Sequence, residues 1–207
     1  MKRLGRGFSL IELLITLAIV GVLLALGASS FSAWIMNMRI RTAAEAIQNG
    51  LQLARGEAVR RNSSISFSLT TSVDGACILS TTSSNWVVSF DNPSNACDSL
   101  PVDDTFLITD AVNNPAPRIL QRRAAAEGSN NVVVAAGQAT VIFNGLGRVT
   151  NAAASPVVIN VQPPAAVGNC ASLRCLRVTV TLGGQIRMCD PAYPVNGTDP
   201  QRCPVGG

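Results

Sequence analysis

The residues of this 207-residue chain best suited to chemistry are its six cysteines, Cys77, Cys97, Cys170, Cys175, Cys189 and Cys203. Thiolates either bind metal or pair as disulfides, and spacing separates the two outcomes. Cys170 and Cys175 form one close pair, but a structural zinc site needs a second such pair or histidines, and the chain contains no histidine. No metal and no cofactor is therefore expected. An even number of cysteines in loop-rich sequence points instead to disulfides formed in an oxidising compartment. Local bracketing favours Cys77–Cys97 around one excursion and Cys189–Cys203 around the loop "DPAYPVNGTDPQR"; Cys170–Cys175 then follows by elimination.

Other catalytic sets are missing. There is no Gly-x-Ser-x-Gly, and the single lysine, Lys2, lies at the N-terminus. Asp103 and Asp104 are adjacent and read as part of a solvated loop. The chain is thus not expected to be an enzyme. Charge argues against a generic nucleic-acid binder as well. Lys2, Arg3 and Arg6 are three of the 16 basic residues, and the remaining 13 against 12 acidic ones leave only +1.

One carboxylate is out of place. Glu12 interrupts an otherwise apolar run from Phe8 to Ala28, where burying a charge costs about 2.5–3.5 kcal/mol even on a lenient insertion scale. At about 1.5 Å per residue the run reaches roughly 30 Å, the thickness of a bilayer core. It is too long for the apolar core of a secretory signal, about 7–15 residues. The basic residues before it place the start of the chain on the cytoplasmic side and the remainder outside.

The elements that carry these residues follow from periodicity. No proline interrupts Phe8 to Arg61, and Ile40, Ala44, Ile47, Leu51, Ala54 and Ala58 trace one apolar face at spacings of three and four. A single long helix is expected, membrane-spanning over 8–28 and amphipathic over 29–61, with Gly21, Gly27, Gly50 and Gly56 as soft points. Arg60 and Arg61 suit its C-terminal dipole. Strands are expected at 64–69, 76–81, 85–90, 105–109, 131–135, 139–144, 157–161, 176–182 and 185–189, and loops at 91–104, 113–117 and 163–169. Gly183–Gly184 reads as a two-residue hairpin turn. The expected class is α+β, a long N-terminal helix on a β-rich head of antiparallel strands over 62–207.

The passage "GFSLIELL" resembles the start of type IV prepilins and pseudopilins. The resemblance implies a leader of residues 1–7, cleavage by prepilin peptidase between Gly7 and Phe8, and N-methylation of Phe8. It also implies that Glu12 pairs with the N-terminal amine of a neighbouring subunit. Such a pair offsets the desolvation of both charges and sets the stagger between subunits. Within that family the head resembles the minor-pilin group of FimT, FimU and GspH at three places: "LQLARGEAVRRN" (51–62), "VIFNGLGRV" (141–149) and "CLRVTVTLGGQIRMCDP" (175–191). Phe143 reads as core, and Gly145 and Gly147 as turn glycines.

The third passage is similar to a Gly-Arg-x-Arg hairpin associated in FimT-like proteins with DNA capture. Here it stands as Gly184-Gln185-Ile186-Arg187, so the first arginine is replaced by a neutral glutamine that releases no counterion. Gln185, Arg187 and Arg177 are the candidate DNA contacts, with Arg174 and Arg202 near them in sequence. The resemblance implies a minor pilin held in the inner membrane by one span, with a periplasmic head. It further implies assembly with other minor pilins and the major pilin over an inner-membrane platform. DNA uptake and a type II secretion pseudopilin are the alternatives.

Overall fold

The structure, a computed structural model, describes residues 9–194 and 196–203, without the side chains of 25–30. Gly7 and Phe8 lie outside the described residues, as does part of the expected span. Helix α1 runs from Leu10 to Arg61. It begins at Ser9, whose hydroxyl accepts the Glu12 amide at 3.3 Å, the bond by which an N-cap serine satisfies an otherwise orphaned donor. It ends at Asn62, which adopts φ +48°. The Asn62 amide bonds the Val59 carbonyl and the Ser63 amide bonds that of Ala58. These two bonds close the helix in the left-handed Schellman arrangement.

The chain divides into two compact units, Met1–Met36 and Asn37–Gly207. In the first, the described large apolar side chains from Leu10 to Leu24 are all exposed. In the second, Ile40, Ala44, Ile47, Leu51, Ala54 and Ala58 are fully buried, so the apolar stripe read from the sequence is the face that joins the core. Gly50 lies on that face. A Cβ there would stand 2.7 Å from the Phe67 ring and 3.1 Å from Trp86, so this glycine is a site of close helix–ring approach and not a soft point.

Eight strands follow: β1 (Ile65–Thr70), β2 (Asn85–Ser89), β3 (Ile119–Arg123), β4 (Val133–Ala136), β5 (Thr140–Phe143), β6 (Val157–Gln162), β7 (Leu176–Val180) and β8 (Ile186–Cys189). They form two four-stranded sheets, ordered β3-β2-β1-β5 and β4-β6-β7-β8, in which every pairing is antiparallel. In the second sheet β6 alternates between buried and half-buried residues, with Val157, Ile159 and Val161 inward. Strand β1 is buried on both faces. Its polar side meets its needs within the sheet: the Ser66 hydroxyl donates to the Ser89 carbonyl at 2.9 Å, and Ser68 lies 3.1 Å from the Thr140 hydroxyl. Above that side, Cys77, Cys97, Val87 and Ile119 make a small buried cluster.

Four expectations need correction. Residues 76–81 form no strand and contribute only an isolated bridge between Leu79 and Thr70. Residues 105–109 are turns with Phe106 and Leu107 exposed. Their β-branched run had the right composition but no neighbouring strand to pair with. Strand β3 was unforeseen, because "ILQRR" shows no apolar alternation; as an edge strand it needs only one buried anchor, Ile119. The β7–β8 hairpin also differs from the expected two-residue turn. The Gly184 amide bonds the Thr181 carbonyl, and the Thr181 amide bonds the Gln185 carbonyl. Leu182 and Gly183 are therefore the central turn residues, and Gly184 follows at φ +78°. This is the longer loop in which a left-handed residue restores the register.

Candidate functional site

The three passages singled out in the sequence meet in one corner of the second unit. Asn144 turns the chain after β5 by accepting the amides of Leu146 and Arg148 on its side-chain oxygen, both at 3.0 Å. Gly147 completes that turn at φ +72°. From α1, Arg55 Nε donates to the Gly147 carbonyl at 3.3 Å. From the β7–β8 loop, Gly184 presses on the same carbonyl so closely that a Cβ would collide with its oxygen. The Val149 amide bonds the Leu182 carbonyl at 3.0 Å, which ties the two loops together. Gly145 sits against the end of α1, where an added Cβ would lie 3.0 Å from the Asn62 backbone. Gly145 and Gly184 are thus set by close approach to another segment's backbone, and Gly147 by its left-handed φ.

The candidate DNA contacts lie on β7 and β8. Thr179 pairs with Arg187 and Arg177 with Cys189, so Arg177 and Arg187 are diagonal neighbours on one face. Arg187 is exposed and donates from Nη2 to the Pro200 carbonyl at 3.0 Å. Arg177 Nε donates to the Asn160 side chain at 2.8 Å. Gln185 is exposed, with its amide held by the Thr181 hydroxyl at 3.2 Å. Arg174 is drawn elsewhere: Nε donates to the buried Asp190 carboxylate at 3.1 Å and Nη2 to Gln201 at 2.8 Å. Arg202 also has a partner within the protein. The sheet face therefore presents guanidinium groups that already have acceptors, and its exposed cation is Arg187.

Disulfides join Cys77 to Cys97 and Cys189 to Cys203, the pairs that local bracketing favours, and Cys170 to Cys175, the pair left by elimination. Among the described residues no group of side chains is arranged to hold a metal ion. Glu12 occupies the first turn of α1, three residues after the capping serine. A carboxylate suits this position through the helix dipole as well. No helix among the described residues is long and apolar enough to cross a membrane.

An ion-pair network at the end of α1 was not foreseen. Glu57 pairs with Arg60 and Arg61, each at 2.7 Å, and Arg61 also reaches Asp104 at 2.7 Å. Arg61 and Arg118 both lie over the Phe90 ring, at 5.7 and 5.3 Å. Burial pushes the Glu57 carboxyl up, but hydrogen bonds and charge from Arg60 and Arg61 outweigh it and hold the group below its usual range. The hydrogen bond from Arg61 lowers Asp104 likewise. The signal was Glu57 at three and four residues before the two arginines, the spacing of helical ion pairs.

Residues 43–184 match the family described as type II transport protein GspH. The chain belongs to the GspH family. Residues 2–28 of this GspH-family protein also match the prokaryotic N-terminal methylation motif. Together the two matches make it a pilin or pseudopilin of the GspH kind. Solved structures that resemble it include a pilin and a pseudopilin. The type IV minor pilin FimU of Pseudomonas aeruginosa is 14% identical with a TM-score of 0.45, over 78% of this chain and 98% of that one. The minor pseudopilin EpsH from the type 2 secretion system of Vibrio cholerae is 13% identical with a TM-score of 0.43, over 75% and 99%. No curated protein is similar enough to count as a relative.

Proposed function

We propose that this chain is a minor pilin of a type IV pilus. Prepilin peptidase cuts it after Gly7, Phe8 becomes the methylated first residue, and the inner membrane holds it with a cytoplasmic N-terminus and a periplasmic head. It joins other minor pilins to prime growth of the major-pilin filament over the inner-membrane platform, and it stays at the tip. The observation that carries this reading is the surface of α1. From Leu10 to Met38 the only charged residue is Glu12, and its neighbours Leu10, Ile11, Leu13, Leu14 and Ile15 are exposed. Such a surface needs lipid first and neighbouring helices later, and a lone carboxylate in it then needs a cation from another subunit.

The test is Glu12→Ala and Glu12→Gln in the full chain, with leader removal followed by mobility and filament incorporation followed in sheared pili. Both variants should be processed yet fail to enter the filament. Normal incorporation of a processed Glu12→Ala chain would defeat the register argument. The family description favours a secretion pseudopilin as the second reading. Deletion of the gene separates the two, since a pilus role predicts lost piliation with intact secretion. DNA capture is addressed by binding across a salt series with and without Arg187→Ala.

A further inference from the structure

We propose that Phe31 and Trp34 form an aromatic anchor for the outer lipid headgroup layer of the inner membrane and set the depth at which α1 sits before assembly; this rests on the membrane-held precursor proposed above. The two rings stack on one face of the helix with centroids 5.8 Å apart, as residues three apart do. They are 61% and 58% exposed, more than any other described aromatic ring, whereas Phe67, Phe143 and Trp86 are buried.

Their position along α1 identifies what covers them. Aliphatic side chains are exposed from Leu10 to Leu24, and the first cation beyond the rings is Arg39. At about 1.5 Å per residue, Phe31 lies roughly 32 Å and Trp34 roughly 36 Å beyond Leu10. A hydrocarbon core of about 30 Å with Leu10 at its inner edge therefore ends just before the pair and leaves both rings in the interfacial layer. A tilt of about 20° shortens the reach to Trp34 by only about 2 Å. Tryptophan is enriched at this depth, because the ring body is apolar and the indole N–H still reaches water or headgroup oxygens. The same geometry places Glu12 near the inner edge of the core, where its carboxylate is least costly before a partner arrives.

The experiment uses the full chain in phospholipid vesicles. Insertion is scored by resistance to alkaline extraction, and tryptophan emission is read against lipids brominated near the carbonyl end or near the methyl end of the acyl chain. Trp34→Phe supplies the background, because it leaves only the buried Trp86. The expected result is stronger quenching by the shallow bromines than by the deep ones, with the quenched fraction lost in Trp34→Phe. Inserted protein whose emission is unquenched, or quenched most by deep bromines, overturns the anchor and leaves the membrane-held precursor standing. Protein that is fully extracted overturns both.

Discussion

The contact between Gly184 and Gly147 makes a sharp prediction for Gly184→Ala. At φ +78° an alanine pays a backbone strain of about 1–3 kcal/mol. Its Cβ also has no room, because the obstacle is the Gly147 carbonyl oxygen, which belongs to backbone and cannot rotate away. Separating the loops would stretch the Arg55 and Val149 hydrogen bonds, each worth about 1 kcal/mol. Together these come to about 3–5 kcal/mol, or a fall of roughly 10 °C in Tm for a unit of this size. Gly183→Ala is the control: its Cβ would meet nothing nearer than the Thr181 hydroxyl at 3.8 Å, so its effect should stay within about 0.5 kcal/mol. Urea unfolding of the unit beginning at Asn37 is the assay. Trp86, its sole tryptophan, is buried and reports the core. If Gly184→Ala unfolded within about 0.5 kcal/mol of the parent, the contact could not be what the glycine is for.

Further outcomes can be checked on the same unit. Replacing Cys77 and Cys97 together by alanine opens a loop with a separation of 20 residues and should cost about 3 kcal/mol by chain entropy, while removing Cys170–Cys175, with a separation of 5, should cost about 2 kcal/mol. Equal losses, or none, in urea midpoints would contradict that order. Gly50→Leu should drive a side chain into the Phe67 and Trp86 rings and destabilise by at least about 2 kcal/mol; a Trp86 spectrum and midpoint like the parent's would refute the close approach. Glu57 is held below its ordinary value of 4.5 by Arg60 and Arg61. Its contribution is therefore present above that pH and is lost as pH falls through the lowered folded value. A pH series of midpoints should show Glu57→Gln losing less stability on acidification than the parent, and parallel curves would remove Glu57 from the acid transition.

Much of the fold was legible because it is encoded locally. The helix needs only the absence of proline, the stripe from Ile40 to Ala58 and a stop at Asn62, all within reach of neighbouring residues. Seven of the eight strands overlap segments with alternation or β-branched runs, because burial on one face leaves that period in the sequence. Phe106 and Leu107 misled for the complementary reason: composition marks what can be a strand, but only a partner at the right register makes one. Strand β3 had the partner, β2, without the composition.

What the sequence by itself determined is the division of labour: an apolar helix with one carboxylate at its start, an amphipathic continuation, and a histidine-free, cysteine-paired β-rich head. Each of these depends on residue type and short spacing. Tertiary structure alone decided why Gly147 and Gly184 stand where they do, why Gly50 tolerates no side chain, and which acceptors hold Arg174, Arg177 and Arg187. Those answers depend on segments far apart in the chain, such as Arg55 and Gly147, meeting at van der Waals distance. A single sequence carries no record of such distances, since the same glycine serves a free turn and a crowded one.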